Sequence, residues 1–366
     1  MEAVEDEVRA ALDSVEDPDL RRSIVGLGMV HGIAVDGGTV VVTVASPLPG
    51  EEARAELTRR VVDAAMPVQG ATRIDVDVRD MSEDELETLA GVLKGDGPRV
   101  NPFANTRTRV LAIASGKGGV GKSSVTTNLS IALAQRGHTV AAVDADVWGF
   151  SMPRMLGVTA PPGVIHDVIV PPEANGVRLI SMGFFASEDQ AVIWRGPMLH
   201  KALEQFLTDV YWGDVDYLVI DMPPGTGDVS LSMAQFIPRA EVIVVTTPQP
   251  AAQRVAQRAA AMASKVDLDV IGVIENMSWF RGDDGKRYEL FGAGGGQELA
   301  AQLDVPLLAQ IPLVPALREG GDDGHPIVVA YPDDEAAVAF RSVAERLDTE
   351  LTPKRIYRPE LKINLN

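Results

Sequence analysis

The sequence predicts an α/β protein, with a doubly wound, mostly parallel sheet built around a phosphate-binding loop and preceded by a small α+β domain. Three observations carry that prediction. Apolar strand-like runs at 109–114, 139–143, 217–220, 241–246, 268–274 and 306–311 alternate with helical stretches, the order of βαβ units in a parallel sheet. Gly116-Lys-Gly-Gly-Val-Gly-Lys-Ser123 completes the pattern Gly-x-x-x-x-Gly-Lys-Ser/Thr between the first of those runs and a helical stretch at 124–135. A glycine-, proline- and asparagine-rich stretch from Gly95 to Thr106 separates two patterned regions in a chain of 366 residues, which exceeds one typical core.

The front region, residues 1–92, reads as a helix and turn within 8–28, then two strands paired around Asp36-Gly-Gly38. A second helix at 51–65 and a strand at 72–78 follow. Residues 93–108 are the expected linker, 109–352 the nucleotide-binding domain, and 353–366 a tail in which Pro353 and Pro359 interrupt any helical stripe.

The loop's composition follows from its chemistry. Gly116, Gly118, Gly119 and Gly121 lack a Cβ, so backbone N–H groups around Val120 can approach phosphate oxygens at a helix N-terminus. Lys122 is placed to reach the β and γ phosphates, Ser123 to ligate Mg²⁺, and Ser124 to open the helix. Lys117 is a second lysine that the ordinary loop does not require. The run at 139–143 delivers Asp144 and Asp146, and that at 217–220 delivers Asp221, at strand ends where an open parallel sheet binds its ligand. A single such aspartate reads equally as a turn or N-cap residue, and three beside this loop shift the balance to function; the flanking strand and helix and the complete pattern favour a site over a glycine-rich turn that binds nothing.

Residues 147–215 form a long insert, expected as a surface lobe, whose Arg195, Met152, Met155, Met182 and Met198 face either a partner or the core. Ser264-Lys-Val-Asp267 has the flavour of a guanine motif but precedes its strand, so Lys265 is expected at a helix end, where a cation suits the dipole. Asp283 and Asp284 read as a hairpin turn before they read as a cation site, and the five histidines are scattered.

Composition excludes further classes. The net charge of -19, from 52 acidic against 33 basic residues with no basic run, argues against nucleic acid as a partner. No apolar run reaches membrane-spanning length and the start of the chain is acidic, so the expectation is a cytoplasmic protein with no membrane partner. With no cysteine, a disulfide framework is out.

The loop, Val143-Asp-Ala-Asp146, Trp194-Arg-Gly-Pro-Met198, Asp221-Met-Pro-Pro-Gly-Thr-Gly-Asp228, Glu275-Asn-Met277 and Phe291-Gly-Ala-Gly-Gly-Gly296 together resemble the Mrp/ApbC family of iron–sulfur cluster carrier ATPases, within the MinD/ParA-like deviant Walker A group. The front region, through Val15-Glu-Asp-Pro-Asp-Leu20, Ile24-Val-Gly-Leu-Gly-Met29 and Gly38-Thr-Val-Val-Val-Thr-Val44, resembles the small metal–sulfur cluster assembly domain often fused before it. The resemblance implies ATP with Mg²⁺, an adenine contact from Asn276, a water-orienting role for Asp146, and Mg²⁺ support from Asp144 and Asp221. It implies a homodimer in which Lys117 crosses to the partner's phosphates, and client apoproteins or assembly factors as further partners. An iron–sulfur cluster is implied by resemblance only. Where the family usually carries cysteines, this chain has Ser46-Pro-Leu-Pro-Gly50 and Ser278-Trp-Phe-Arg281. Two readings therefore stay open: an ATP-driven cluster carrier, or a dimeric ATPase switch that acts in regulation or assembly without its own cluster.

Overall fold

The computed structural model describes residues 2–95, 101–103, 106–146, 149–185, 196–225 and 228–351. Chain contacts divide it into a front unit, 1–99 with 162–171 and 209–213, and a main unit made of the rest.

In the front unit, α1 (Glu2–Leu12) leads to β1 (Val30–Asp36) and β2 (Thr39–Ser46), an antiparallel pair joined through Gly37 and Gly38. Both glycines have positive φ, 55° and 91°, the backbone that a two-residue hairpin turn demands. Then α2 (Glu51–Ala65) carries the chain to β3 (Arg73–Asp80), which pairs parallel to β2. The helix α3 (Glu83–Lys94) starts on a capping box between Ser82 and Glu85. Val8 and Leu12 of α1, Leu57 and Val61 of α2, and Val40, Val42 and Val44 of β2 meet in the core of this unit.

The main unit opens with β4 (Arg109–Ser115), the loop, α4 (Lys122–Gln135), β5 (Val140–Asp144) and α5 (Met152–Leu156). The chain next forms a hairpin of β6 (Gly163–Ile165) and β7 (Val168–Val170), which belongs to the front unit, and then β8 (Glu173–Ala174) and β9 (Val177–Ser181). It continues through α6 (Gly196–Thr208), β10 (Tyr217–Asp221), α7 (Asp228–Phe236), β11 (Glu241–Thr246), α8 (Pro250–Lys265) and β12 (Asp269–Glu275). A short hairpin of β13 (Phe280–Arg281) and β14 (Arg287–Tyr288) precedes α9 (Gly295–Leu303) and β15 (Leu307–Gln310). The described chain closes with α10 (Pro315–Asp323), α11 (Ile327–Ala330) and α12 (Glu335–Thr349).

The large sheet has the order β15-β12-β11-β4-β10-β5-β9-β8, parallel except at β8. The strand order turns back on itself around β4, so the crevice of a doubly wound sheet lies at the carboxyl ends of β4, β5 and β10. Each of the six expected runs is a strand of this sheet.

The insert requires a correction. It was expected as a surface lobe, yet β9 is buried along its whole length and pairs with β5 inside the sheet. Its charged Arg178 hides the apolar pattern, and that residue, 7% exposed, is buried beside Glu173, with Nε 3.7 Å from Oε2. The available signal was Asn175-Gly176, both at positive φ, which turns β8 into β9 as a hairpin. Met152 and Met182 are core residues, Met155 lines a cleft and Met198 is exposed, while Arg195 lies outside the described residues. Most of the Gly95–Thr106 hinge and the tail at 353–366 also lie outside them.

Candidate nucleotide site

The loop leaves β4 at Ser115 and ends at Gly121, the left-handed N-cap of α4. Two of its glycines are required, Gly116 by close approach of backbone and Gly121 by its left-handed φ. A Cβ on Gly116 would stand 2.2 Å from the Val255 backbone of α8, and one on Gly121, where φ is 79°, would stand 2.2 Å from Asn276 Nδ2. Val120 anchors the loop at 2% exposure, while Gly118, Gly119, Gly121, Ser123 and Ser124 line an open cleft of about 360 Å³. The start of α4 therefore faces that cleft with its first-turn amides and the positive end of the helix dipole, and Gly121 supplies no side-chain cap.

Lys122 begins α4 with its side chain buried, where an unpaired ammonium would be costly. Its Nζ lies 2.6 Å from Asp221 Oδ2, 3.5 Å from Ser123 Oγ and 4.0 Å from Asp146 Oδ2. Asp221, at the end of β10, also accepts Ser123 Oγ at 2.5 Å and Thr126 Oγ1 at 2.6 Å. Lysine, hydroxyl and carboxylate thus converge at the crevice. Ser123 and Asp221 are hard oxygen donors, the kind that Mg²⁺ selects, and a hydroxyl held on a carboxylate is oriented for such an ion.

The three predicted aspartates have different surroundings. Asp146 lines the cleft and accepts the Gly149 amide at 3.1 Å. Asp144 points instead into the protein: Oδ2 accepts Ser151 N at 3.1 Å, Met152 N at 3.2 Å and Ser181 Oγ at 3.0 Å, while Oδ1 accepts Asp146 N at 3.2 Å. It holds Asp146, the start of α5 and the end of β9 together, close to the cap role that a lone strand-end aspartate suggests. Burial first, and then the Asp221 charge, push its carboxyl above the ordinary carboxylate range.

Lys117 lines the same cleft with its ammonium 3.3 Å from Gln249 Oε1, just before α8. Asn276 sits behind the loop, 3% exposed, and donates Nδ2 to the Val120 carbonyl at 2.9 Å. Its Oδ1 is buried with no hydrogen-bond partner among the described residues. The structure thus adds a loop-bracing contact to the residue expected at the base.

One buried group, named in the sequence only as part of a motif, has a role that the motif does not convey. Glu275 accepts Ser278 Oγ at 2.9 Å, Gln310 Nε2 at 2.8 Å and the Gly296 amide, tying β12 to α9 and β15. The glycine run 294–296 was its signal, because a Cβ on Gly296 would stand 2.6 Å from Glu275 Cβ. Asp283 and Asp284 form the expected hairpin turn, in which Asp284 accepts Lys286 N at 3.1 Å and Tyr288 Oη at 2.9 Å. Lys265 ends α8, and Asp267 precedes β12. Segments around Trp194 and Thr226 lie outside the described residues. Among the described residues, no helix is long and apolar enough to cross a membrane.

Comparison with known proteins agrees with this geometry. Residues 106–348 match the family model described as NUBPL iron-transfer P-loop NTPase, and residues 5–78 match that of the iron–sulfur cluster assembly protein. A Mycobacterium tuberculosis protein named iron–sulfur cluster carrier protein is 47% identical over 352 residues, covering 93% of this chain and 92% of that one. Among solved structures, a nucleotide-binding protein of Archaeoglobus fulgidus in complex with ADP aligns with TM-score 0.55 at 28% identity, covering 76% of this chain and 99% of that one. The septum site-determining protein MinD of Pyrococcus horikoshii, complexed with Mg-ADP, gives 0.50 at 29% identity over 66% of this chain and 96% of that one.

Proposed function

The chain belongs to the iron-transfer P-loop NTPase family of iron–sulfur cluster carriers, and from that premise we propose that it binds and hydrolyses ATP to drive the delivery of clusters to apoproteins. The observation that carries the reading is the convergence of Lys122, Ser123 and Asp221 at the helix N-terminus, with Asp146 across the cleft.

In this reading the loop amides and Lys122 hold the β and γ phosphates. Asp221 keeps Lys122 and the Ser123 hydroxyl in place before nucleotide arrives. Mg²⁺, bound by Ser123 with Asp221 behind it, would neutralise charge that develops between the phosphates. Asp146 orients the attacking water, and Asp144 positions Asp146 through its amide. Asn276 braces the loop, and its buried, unpartnered Oδ1 would have to turn toward the cleft to accept from the adenine amine. The ADP-bound neighbours support a nucleotide in this cleft. The reaction belongs to the cytoplasm, where ATP and newly made apoproteins meet.

Lys117 is assigned to the partner protomer's phosphates in a homodimer. Its half-buried ammonium rests on the neutral Gln249 amide in the single chain, a weak contact that a phosphate would replace. Phosphate release from Mg-ATP tests the arrangement. Lys117→Ala and Asp146→Ala should each be inactive. An equal mixture should recover at most about a quarter of wild-type activity, because half the dimers are mixed and each then holds one complete site. Heterodimers that form without recovering activity would place Lys117 in its own protomer's site.

A further inference from the structure

A cluster carrier with no cysteine poses a ligand problem. Iron–sulfur clusters are held by soft thiolates, and even the Rieske type keeps two of them. This chain has none. The serines in the two segments where cysteines would be expected are committed elsewhere. Ser46 is 6% exposed and donates to the Leu48 carbonyl, whereas Ser278 is 3% exposed and donates to Glu275 O and Oε1.

Nitrogen and oxygen do not fill the gap. Each of the five histidines spends one ring nitrogen on a different protein oxygen, at separate places in the fold. Among the described residues no group of three His, Asp or Glu side chains is placed to hold a metal ion. The hairpin after Asn276 is closed by protein contacts: Arg281 and Arg287 pair with Glu335, and the Arg287 guanidinium stacks 4.1 Å over Trp279.

Resting on the carrier reading above, we propose that this chain never enters the cluster's coordination sphere: every ligand is a thiolate of a second protein, and the chain acts on that cluster-bearing protein. Charge favours a protein over a free small thiol as the source. A thiolate-ligated cluster is anionic, and a chain of net charge -19 repels it unless a polypeptide shields it. The front unit suits a basic partner face, since residues 1–95 carry 20 acidic against nine basic side chains. No bond to iron forms or breaks on this chain, so cluster transfer is thiolate exchange between two partners, with no net oxidation or reduction.

The test is anaerobic and uses the full chain with a non-thiol reductant. One sample receives ferrous iron and sulfide alone, a second the same with glutathione, and a third a scaffold protein carrying a [4Fe–4S] cluster on its own cysteines. Iron, acid-labile sulfide and phosphate release from ATP are measured after gel filtration. The expected result is iron and sulfide at background in the first two samples. In the third, the cluster should co-elute only in a complex with the scaffold, and raising salt should weaken that complex. Stoichiometric iron and sulfide on the chain in the first sample would overturn the proposal, and cluster held with glutathione alone would overturn the protein source. Active ATP hydrolysis with no scaffold association would overturn this inference and leave the nucleotide reading standing. Scaffold association without hydrolysis would do the reverse.

Discussion

In the front unit, β2 buries Val40, Val42 and Val44 and turns Val41 outward at 38% exposure, whereas β5 and β10 of the main unit bury all five of their residues. The front sheet is one-sided and alternates; the main sheet is covered on both faces and runs apolar until its strands end. That difference decides where charge can sit. The front unit spreads an acid-rich set of side chains over its surface, with pairs such as Arg54–Asp80 and Arg73–Asp75 in solvent. The main unit concentrates buried charge at strand ends, where Asp144 and Asp221 are fully covered and Lys122 nearly so. Surface charge of the first kind contributes little to stability, while buried charge of the second kind must be paired and hydrogen-bonded and so is held in a fixed geometry.

Removing the central buried cation should have the largest effect. Lys122→Ala should lower ATP hydrolysis by roughly a hundred- to a thousandfold, the usual cost of losing one preorganised donor. Circular dichroism should keep its folded shape. An unchanged rate of phosphate release would mean that the chemistry lies elsewhere.

Asp144 sharpens the distinction between a buried charge that reacts and one that holds. Asp144→Ala removes four acceptor contacts from the segment that carries Asp146, so kcat should fall about ten- to a hundredfold, as small misplacements do, with KM nearly unchanged. Asp144→Asn keeps an acceptor on the same stem and should recover much of the loss. Steady-state kinetics on both variants would decide it, and a rise in KM alone would point to nucleotide binding instead.

The smallest effect belongs to the front unit's exception. Asp17 is buried, accepts the Asp19 and Leu20 amides through Oδ1 at 3.1 and 2.8 Å, and is pushed up to about 6, by burial first and then by the Asp19 charge. The folded state therefore holds its proton more tightly than the unfolded chain, whose value is near 3.8. The stabilisation is full below that lower value and is lost as pH rises through about 6. Asp17→Asn keeps both amide contacts and should add about 1–3 kcal/mol at pH 7, on the scale of 1.36 kcal/mol per pKa unit. It should also flatten the pH dependence between about 4 and 6, measured by calorimetric melting of the whole chain. A variant no more stable than wild type would remove Asp17 from the charged set.

Much of this was legible in order along the chain. Each of the six expected strand runs lies in the large sheet because an apolar run between a loop and a helix has one stable place in an α/β layer. The glycines, Lys122 and Ser123 were readable because phosphate chemistry permits few residue types at that spacing. β9 is hidden because Arg178 interrupts its apolar pattern, although the Asn175-Gly176 turn, which sets Glu173 opposite that arginine, was there to be read.

The sequence alone determined the absence of thiolates, the acidic balance of the front unit, and which residues could meet a phosphate. Composition and local spacing are properties of the unfolded chain and survive any fold. Tertiary structure decided what each carboxylate does. Asp144 and Asp146 are two residues apart and chemically identical, yet one is spent on the Ser151, Met152 and Ser181 donors and the other faces the cleft. That assignment depends on packing β9 against β5, which brings Ser181 from 37 residues away to the Asp144 carboxylate, and on the turn into α5 that aims the Ser151 and Met152 amides at it; the first of these no local reading of the chain contains.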